Sequence, residues 1–448
     1  MDLQNQTLLT DLYQLTMLQA YAKEQMHEEA VFELFFRGPP ETRNFLVMAG
    51  LELVIDYLTS LHFSEHDIEW LRSTELFQDS FLEELRHFRF KGNVDALPEG
   101  RIFFGQQQPV LRITAPLSQA QFIESRIINL IHYSVLIASK AARCKIAAPT
   151  KQLVDFGFRR AHGAEAGLMA ARSCYIAGFQ GTATVAAGQL LCIPLIGTMA
   201  HSYIQAHDNE QEAFEKFAYS LPQHVVFLID TYNVEMAAHK IVNLAPRLKE
   251  KGIVIRGVRL DSGDLADLSQ KVRHIFDEAG LTEIKIISSG NLDEYALQDL
   301  MQKNAPIDSF GIGTRLVTSN DVPSLDAVYK LQEYADKPRC KFSPGKQTWP
   351  GIRQVYRFYD EKGMMSHDIV TLIDDESVKG EALLVPIIRK GERVAAKESL
   401  DIMQQRFLND LNRLPAYLKS LEPAQHYPVE FSAVQRELAD KLRAEKIN

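Results

Sequence analysis

Three short stretches hold residue types that could do chemistry together. In the first, an apolar run, Leu190 to Ile196, breaks at Gly197 and delivers Thr198, His201 and Ser202. Imidazole is the side chain best suited to moving a proton or carrying a transferred group near neutral pH. The run predicts a strand covered on both faces. Gly197 and Thr198 then predict a turn and a helix cap, placing His201 in the first turn of the next helix, where free N–H groups favour an anion. The second stretch, Arg259-Leu260-Asp261-Ser262-Gly263-Asp264, sets a cation beside two carboxylates. Arginine forks onto a carboxylate or phosphate, while aspartate suits sugar hydroxyls or Mg²⁺. The third is a pair of loops, Ser288-Ser289-Gly290-Asn291 and Gly311-Ile312-Gly313-Thr314, where glycine lets backbone N–H groups approach an anion closely. No third glycine follows Gly313 at dinucleotide-fold spacing and no GxxxxGK occurs, so a nucleotide here would be held without a P-loop.

The elements that must position these residues are short apolar strands alternating with helices from Lys151 onward, the pattern of a parallel α/β arrangement. The strands predicted at 153–156, 190–196, 225–229, 253–258, 284–287 and 309–310 end on Arg159 and Arg160, on Thr198 and His201, on Asp230 and Thr231, on Arg259 and Asp261, on Ser288 to Asn291, and on Gly311 to Thr314. Parallel strands gather ligands at their C-terminal ends. Gly, Ser and Asp are also ordinary turn and cap residues, so it is the set of ends, and no single one of them, that points to a site.

Before this region, Thr10 and Asp11 open an amphipathic helix with Leu12, Leu15, Leu18 and Tyr21 at helical spacing, followed by a strand at 30–38 and a helix at 48–61. A long apolar helix at 119–143 leads into the central domain. Beyond Asp321 the basic run 337–357, rich in Pro and Gly, predicts strands and turns, and 398–448 a charged, helical covering layer. The expected division is 1–118, 119–335 and 336–448.

The 448 residues, 46% hydrophobic, suffice for several domains. A formal net charge of −9 argues against a general nucleic-acid or anionic-membrane binder, so an anionic substrate must meet local cations. Cys144, Cys174, Cys192 and Cys340 lack metal-site spacing, and three of them lie in apolar contexts that suit buried free thiols. With no signal-like N-terminus and no membrane-length apolar run, the expectation is a soluble, cytoplasmic protein.

Taken together, LLTDLYQLTM, FELFFRGPP, DFGFRRAHG, GTMAHS, LIDTYN, GVRLDSGDL, SSGN and DSFGIGTRLVTS, in that order and followed by KQTWPGIRQVYR, resemble nicotinate phosphoribosyltransferase. The resemblance implies an irregular, TIM-like α/β barrel with an additional α+β N-terminal domain completed by C-terminal segments. It implies a homodimer with a shared active site, and formation of nicotinate mononucleotide from nicotinate and phosphoribosyl pyrophosphate, coupled to ATP hydrolysis with Mg²⁺. Carried over by position, it makes His201 a phosphohistidine with Arg259 and Asp261 also catalytic. Tyr13, Arg159, Ser202 and Arg259 would meet nicotinate. Arg160, Asp261, Ser262, Gly263, Ser289, Gly290, Asn291, Gly311, Gly313 and Thr314 would meet the phosphoribosyl group. Relatives that use nicotinamide carry a pattern like TDSYK where this chain has Thr10-Asp11-Leu12-Tyr13-Gln14, which tilts the substrate toward the acid. Nicotinamide or quinolinate transfer, and a non-catalytic ligand-binding relative, are the alternatives.

Overall fold

The computed structural model describes residues 7–343 and 346–447. The chain divides into two compact units, Lys140–Pro323 and the discontinuous pair Met1–Ser139 with Ser324–Asn448.

The unit Lys140–Pro323 is built on a six-stranded sheet among the described residues. Its strands are β1 (Gln152–Asp155), β2 (Gly181–Thr182), β3 (Val225–Leu228), β4 (Ile255–Leu260), β5 (Lys285–Ser288) and β6 (Ser309–Ile312), in the spatial order β2-β1-β6-β5-β4-β3. Every pairing is parallel, with Val154 opposite Gly311, Ile287 opposite Ser309 and Ile286 opposite Val258. Parallel strands need crossovers. These are supplied by α1 (Ala164–Ile176), α2 (Val185–Leu191), α3 (His201–Gln205), α4 (Glu210–Ser220), α5 (Val234–Glu250), α6 (Leu265–Glu278) and α7 (Glu294–Gln302), and α8 (Thr314–Val317) follows the last strand. The sheet curls into the half-barrel of an irregular α/β barrel fold. Helix α5 buries Val234, Ala237, Ala238, Ile241, Leu244, Ala245 and Leu248, the three-and-four spacing of a single apolar face. Each of α5, α6 and α7 starts on a side-chain cap, Asn233, Asp264 and Asp293 respectively, so the polar residue after each strand first organises a helix start.

One sequence expectation fails here. Leu190 to Ile196 is not a strand: α2 runs through Leu191, Cys192 takes a left-handed conformation that ends it, and only Leu195 bridges to Thr182 of β2. A short apolar run fits a buried strand or an apolar helix end equally well. In the chain alone most of the run is not covered, with Leu190 64% and Leu195 54% exposed, although Ile193 is buried. The helix expected at 119–143 is two, Leu117–Phe122 and Glu124–Ala147.

The other unit holds an antiparallel sheet, ordered Lys337–Pro338, Ala327–Tyr334, Glu29–Phe36, Pro109–Pro116, Asn93–Ala96, Val385–Arg389 and Glu392–Arg393. Segments from both ends of the sequence therefore share one ladder. A smaller sheet joins Glu381–Ala382, Arg353–Tyr359, Met365–Leu372 and Val429–Phe431. Two fully buried ion pairs cross this unit, Arg353 with Glu33 at 2.6 Å and Arg357 with Asp368 at 2.8 Å. The C-terminal region is more than a solvated layer: Met403 and Phe407 are core residues, and buried Asp410 accepts from the Ile102 N–H and from Arg101.

Candidate active site

The site is built at the C-terminal ends of β3, β4, β5 and β6, and Arg259 is its hub. Arg259 sits one residue before the end of β4 with its side chain 14% exposed. Its Nε donates to Ser289 Oγ at 2.7 Å, Nη1 to Thr198 Oγ1 at 3.1 Å, and Nη2 to Asp261 Oδ1 at 2.7 Å. The Phe156 ring centroid lies 5.5 Å from its guanidinium carbon, within cation–π range. These contacts fix a long side chain that would otherwise sample many rotamers, so the cation is placed before any ligand arrives.

Asp261 accepts from both Arg259 and the Ser289 hydroxyl. Burial alone would raise its carboxyl pKa, but the Ser289 hydrogen bond and the Arg259 charge, with a smaller push from His201, bring it below its ordinary value. The carboxylate therefore stays ionised throughout the working range. Asp230, just past β3, is 2% exposed, and its Oδ2 accepts from the Asp261 N–H at 2.9 Å and the Ser262 hydroxyl at 2.6 Å. Its Oδ1 is buried without a hydrogen-bond partner among the described residues, 4.0 Å from His201 Nε2. Asp230 is a site residue that sequence reasoning placed at a strand end but gave no role.

His201 is the first residue of α3, where the sequence put it, although the cap is Ala200 and not Thr198. Its Nδ1 lies 3.1 Å from Thr231 Oγ1, and its Nε2 is 3.9 Å from Asp261 Oδ2. The side chain is 39% exposed, so one face of the ring edge remains open to a reacting group. Ser202 follows, exposed. Ser262 is turned to Asp230, and Gly263 takes φ +83° in the same turn. Asp264 caps α6, its Oδ1 accepting from the Ala266 and Asp267 N–H groups.

Two glycine-bearing loops flank this cluster. Buried Ser289 donates its N–H to the Leu260 carbonyl, which stitches the loop after β5 to β4. Gly290 follows at φ +90°, and an added Cβ would lie 2.0 Å from the Asp261 carbonyl oxygen. Asn291 also takes a positive φ, +51°, a conformation asparagine tolerates better than most residues. On β6, a Cβ at Gly311 would strike the Phe156 ring and one at Gly313 would lie 2.9 Å from the Phe156 carbonyl oxygen. Thr314 opens α8 and is exposed.

At the end of β1, buried Asp155 accepts from the Gly157 N–H and the Thr182 hydroxyl, and burial pushes its carboxyl pKa up against those bonds. It anchors the single 3-10 turn that carries Arg159 and Arg160, both exposed. Among the described residues no group of three or more His, Cys, Asp or Glu could hold a metal ion.

Tyr13 belongs to the other unit, on the helix Leu12–Lys23, and is 48% exposed. Its neighbour Gln14 is fully buried, donating to Glu124 at 3.0 Å and accepting from Gln121 at 2.8 Å. Gln14 therefore sets how the helix packs.

Comparison with known proteins gives the family. The nicotinate phosphoribosyltransferase N-terminal domain matches residues 8–132, the nicotinate phosphoribosyltransferase family matches 151–337, and the family's C-terminal domain matches 376–439. Nicotinate phosphoribosyltransferase pncB2 of Mycobacterium tuberculosis is 42% identical over 95% of this chain and 91% of its own length. The chain belongs to the nicotinate phosphoribosyltransferase family. The Bacillus subtilis nicotinate phosphoribosyltransferase is 36% identical over 95% of the chain and 93% of its own length. The crystal structure of human nicotinic acid phosphoribosyltransferase superposes with a TM-score of 0.88 at 28% identity, covering 97% of this chain and 99% of that one. A nicotinate-nucleotide pyrophosphorylase from Pyrococcus furiosus, 24% identical with a TM-score of 0.74, shares the fold. No described helix is long and apolar enough to cross a membrane.

Proposed function

We propose that this family member joins nicotinate to phosphoribosyl pyrophosphate, giving nicotinate mononucleotide and pyrophosphate for NAD synthesis, and that ATP hydrolysis drives the reaction through phosphorylated His201. One observation carries the reading: His201, Arg259 and Asp261 converge at the strand ends beside two glycine loops that admit an anion. The relatives named above supply the substrate class.

In the transfer step the pyridine nitrogen attacks the anomeric carbon as the bond to the pyrophosphate oxygen breaks, and the leaving group takes the electron pair. No proton moves, so the enzyme's work is placement and charge. Arg259, Arg159 and Ser202 meet the nicotinate, the two arginines at its carboxylate, and Asp261 accepts from the ribose hydroxyls with Ser262 and Gly263 shaping the turn. Gly290, Asn291, Gly311, Gly313 and Thr314 receive the 5′-phosphate, and Ser289 and Arg160 serve the rest of the phosphoribosyl group. Mg²⁺ would be held mostly by substrate phosphates, with the unpartnered Asp230 Oδ1 and with Asp261 Oδ2 as the protein oxygens that fit it. When bound it would neutralise charge on the leaving group.

In the coupled step an imidazole nitrogen of His201 attacks the terminal phosphorus of ATP, ADP leaves, and water later releases phosphate and a proton. Thr231 and the carboxylates of Asp230 and Asp261 hold the ring for this.

Tyr13 stacks on the pyridine across a homodimer interface. Its exposure, and that of Val185, Leu190 and Leu195 on the barrel unit, supports a second copy as their cover. A cytoplasmic location goes with the free thiols of Cys144, Cys174 and Cys192.

The test is turnover with nicotinate, nicotinamide and quinolinate in parallel, with and without ATP, in the parent and in His201→Asn. Nicotinate should be the substrate. The variant should lose ATP stimulation and ³²P incorporation from γ-labelled ATP while keeping a slow ATP-independent reaction. Persistent labelling would remove His201 from that role.

A further inference from the structure

The two glycine loops are tied to one another by a pair of side chains with no assigned role. Asp293 closes the loop after β5 and Arg315 follows the loop after β6. The Asp293 carboxylate, 9% exposed, uses Oδ1 to cap α7 at the Ala296 N–H and Oδ2 to hold Arg315 Nη1 at 2.6 Å. The next residue, Glu294, is fully buried and ion-paired with Lys140 at 2.6 Å and with Arg143 at 2.8 Å. Lys140 is itself 1% exposed and reaches Asp321 at 2.8 Å. The start of α7 is thus pinned from below by buried charges that cannot shift without leaving a partner uncompensated. From above, it reaches sideways to the neighbouring loop through a guanidinium.

We infer that Asp293 and Arg315 are positioning residues for the phosphoribosyl group, locking Gly290–Asn291 and Gly313–Thr314 at one separation with Glu294 as their fixed base. This deepens the phosphate-cradle reading and rests on it. A phosphate gripped by backbone N–H groups from two loops tolerates little change in their spacing, since a misplacement of about 1 Å can cost roughly a hundredfold in rate. The pair supplies that spacing without itself having to touch the ligand.

Charge gives a clean way to separate positioning from simple attraction. Were Arg315 only a cation near an anion, removing it would weaken phosphoribosyl pyrophosphate binding, while removing the Asp293 charge would strengthen it. A positioning pair gives the same sign for both. Asn at 293 keeps the helix cap, so Asp293→Asn tests the tie alone. With full-length enzyme, Arg315→Gln and Asp293→Asn should each raise the KM for phosphoribosyl pyrophosphate by about tenfold. The KM for nicotinate at saturating co-substrate should stay within about twofold. The double variant should be no worse than either single, and Arg315→Lys should recover part of the loss. The inference falls if Asp293→Asn leaves that KM unchanged or lowers it, or if both variants lose only melting temperature. Thr314→Ala and Gly313→Ala serve as reference. If they leave the same KM unaltered, the cradle reading itself fails and the inference with it; if they raise it while Arg315 and Asp293 variants do not, the tie alone is wrong.

Discussion

Arg259 donates in three directions, and its value to the site lies in that over-determination. Replacing it with Ala would leave Asp261 half-buried without its cation, so nicotinate kcat/KM should fall by an amount equivalent to about 2–5 kcal/mol. Steady-state kinetics that match the parent would remove the assignment. The same contacts set a pH dependence. Asp261 titrates below its ordinary value of 3.8 in the folded protein, so its contribution is fully present above that value and is lost as pH falls through the lower folded pKa. Ser289→Ala removes the largest lowering influence and leaves burial, which raises the pKa. The acid limb of the kcat/KM profile should therefore move to higher pH in that variant, and a profile that superposes on the parent's would show that the hydroxyl does not hold the carboxylate. At this scale the sequence disclosed residue types but not their partners. Asp261 and Asp264 look alike in RLDSGDL, yet one faces Arg259 and the other caps a helix. Asp230 looked like one more strand-end aspartate until its contacts to the next loop were visible.

Among the elements, the strands Gln152–Asp155, Val225–Leu228, Ile255–Leu260 and Lys285–Ser288 were legible because a strand buried on both faces must be apolar and must give way to something polar. The stretch at 190–196 misled for a related reason: it is apolar but mostly uncovered in the chain alone, and neither length nor period separates a helix end from a strand there. Glycine positions carried more information than their types suggest. Gly290 combines a positive φ with a carbonyl oxygen where its Cβ would be. Gly290→Ala should thus incur backbone strain of about 1–3 kcal/mol before the clash is counted. Urea unfolding should show a lowered midpoint, and the KM for phosphoribosyl pyrophosphate should rise. An alanine variant with parental midpoint and KM would mean that the loop can relax freely.

At the scale of the molecule, the discontinuous unit depends on buried charge. Arg353 and Glu33 are both fully buried, so Glu33→Ala leaves an uncompensated guanidinium and should lower stability by about 3–5 kcal/mol, read as a drop in unfolding midpoint. A midpoint unchanged within error would show that water or another group replaces the carboxylate. Nothing in the sequence paired these two residues, because they lie 320 positions apart and each looks like an ordinary surface charge.

The same separation has a consequence for how the chain is made. The strand Glu29–Phe36, buried along nearly all its length, takes as one ladder partner Ala327–Tyr334, which leaves the ribosome about 300 residues later. At about 5–20 residues per second that interval is roughly 15–60 s. During it the strand can pair with Pro109–Pro116 but presents its other edge bare. The barrel unit, contiguous from Lys140 to Pro323, is complete before that edge is closed. Synthesis thus finishes the barrel unit before the N-terminal sheet is closed, and leaves that sheet, with an apolar edge in a crowded cell, as the step most in need of a chaperone.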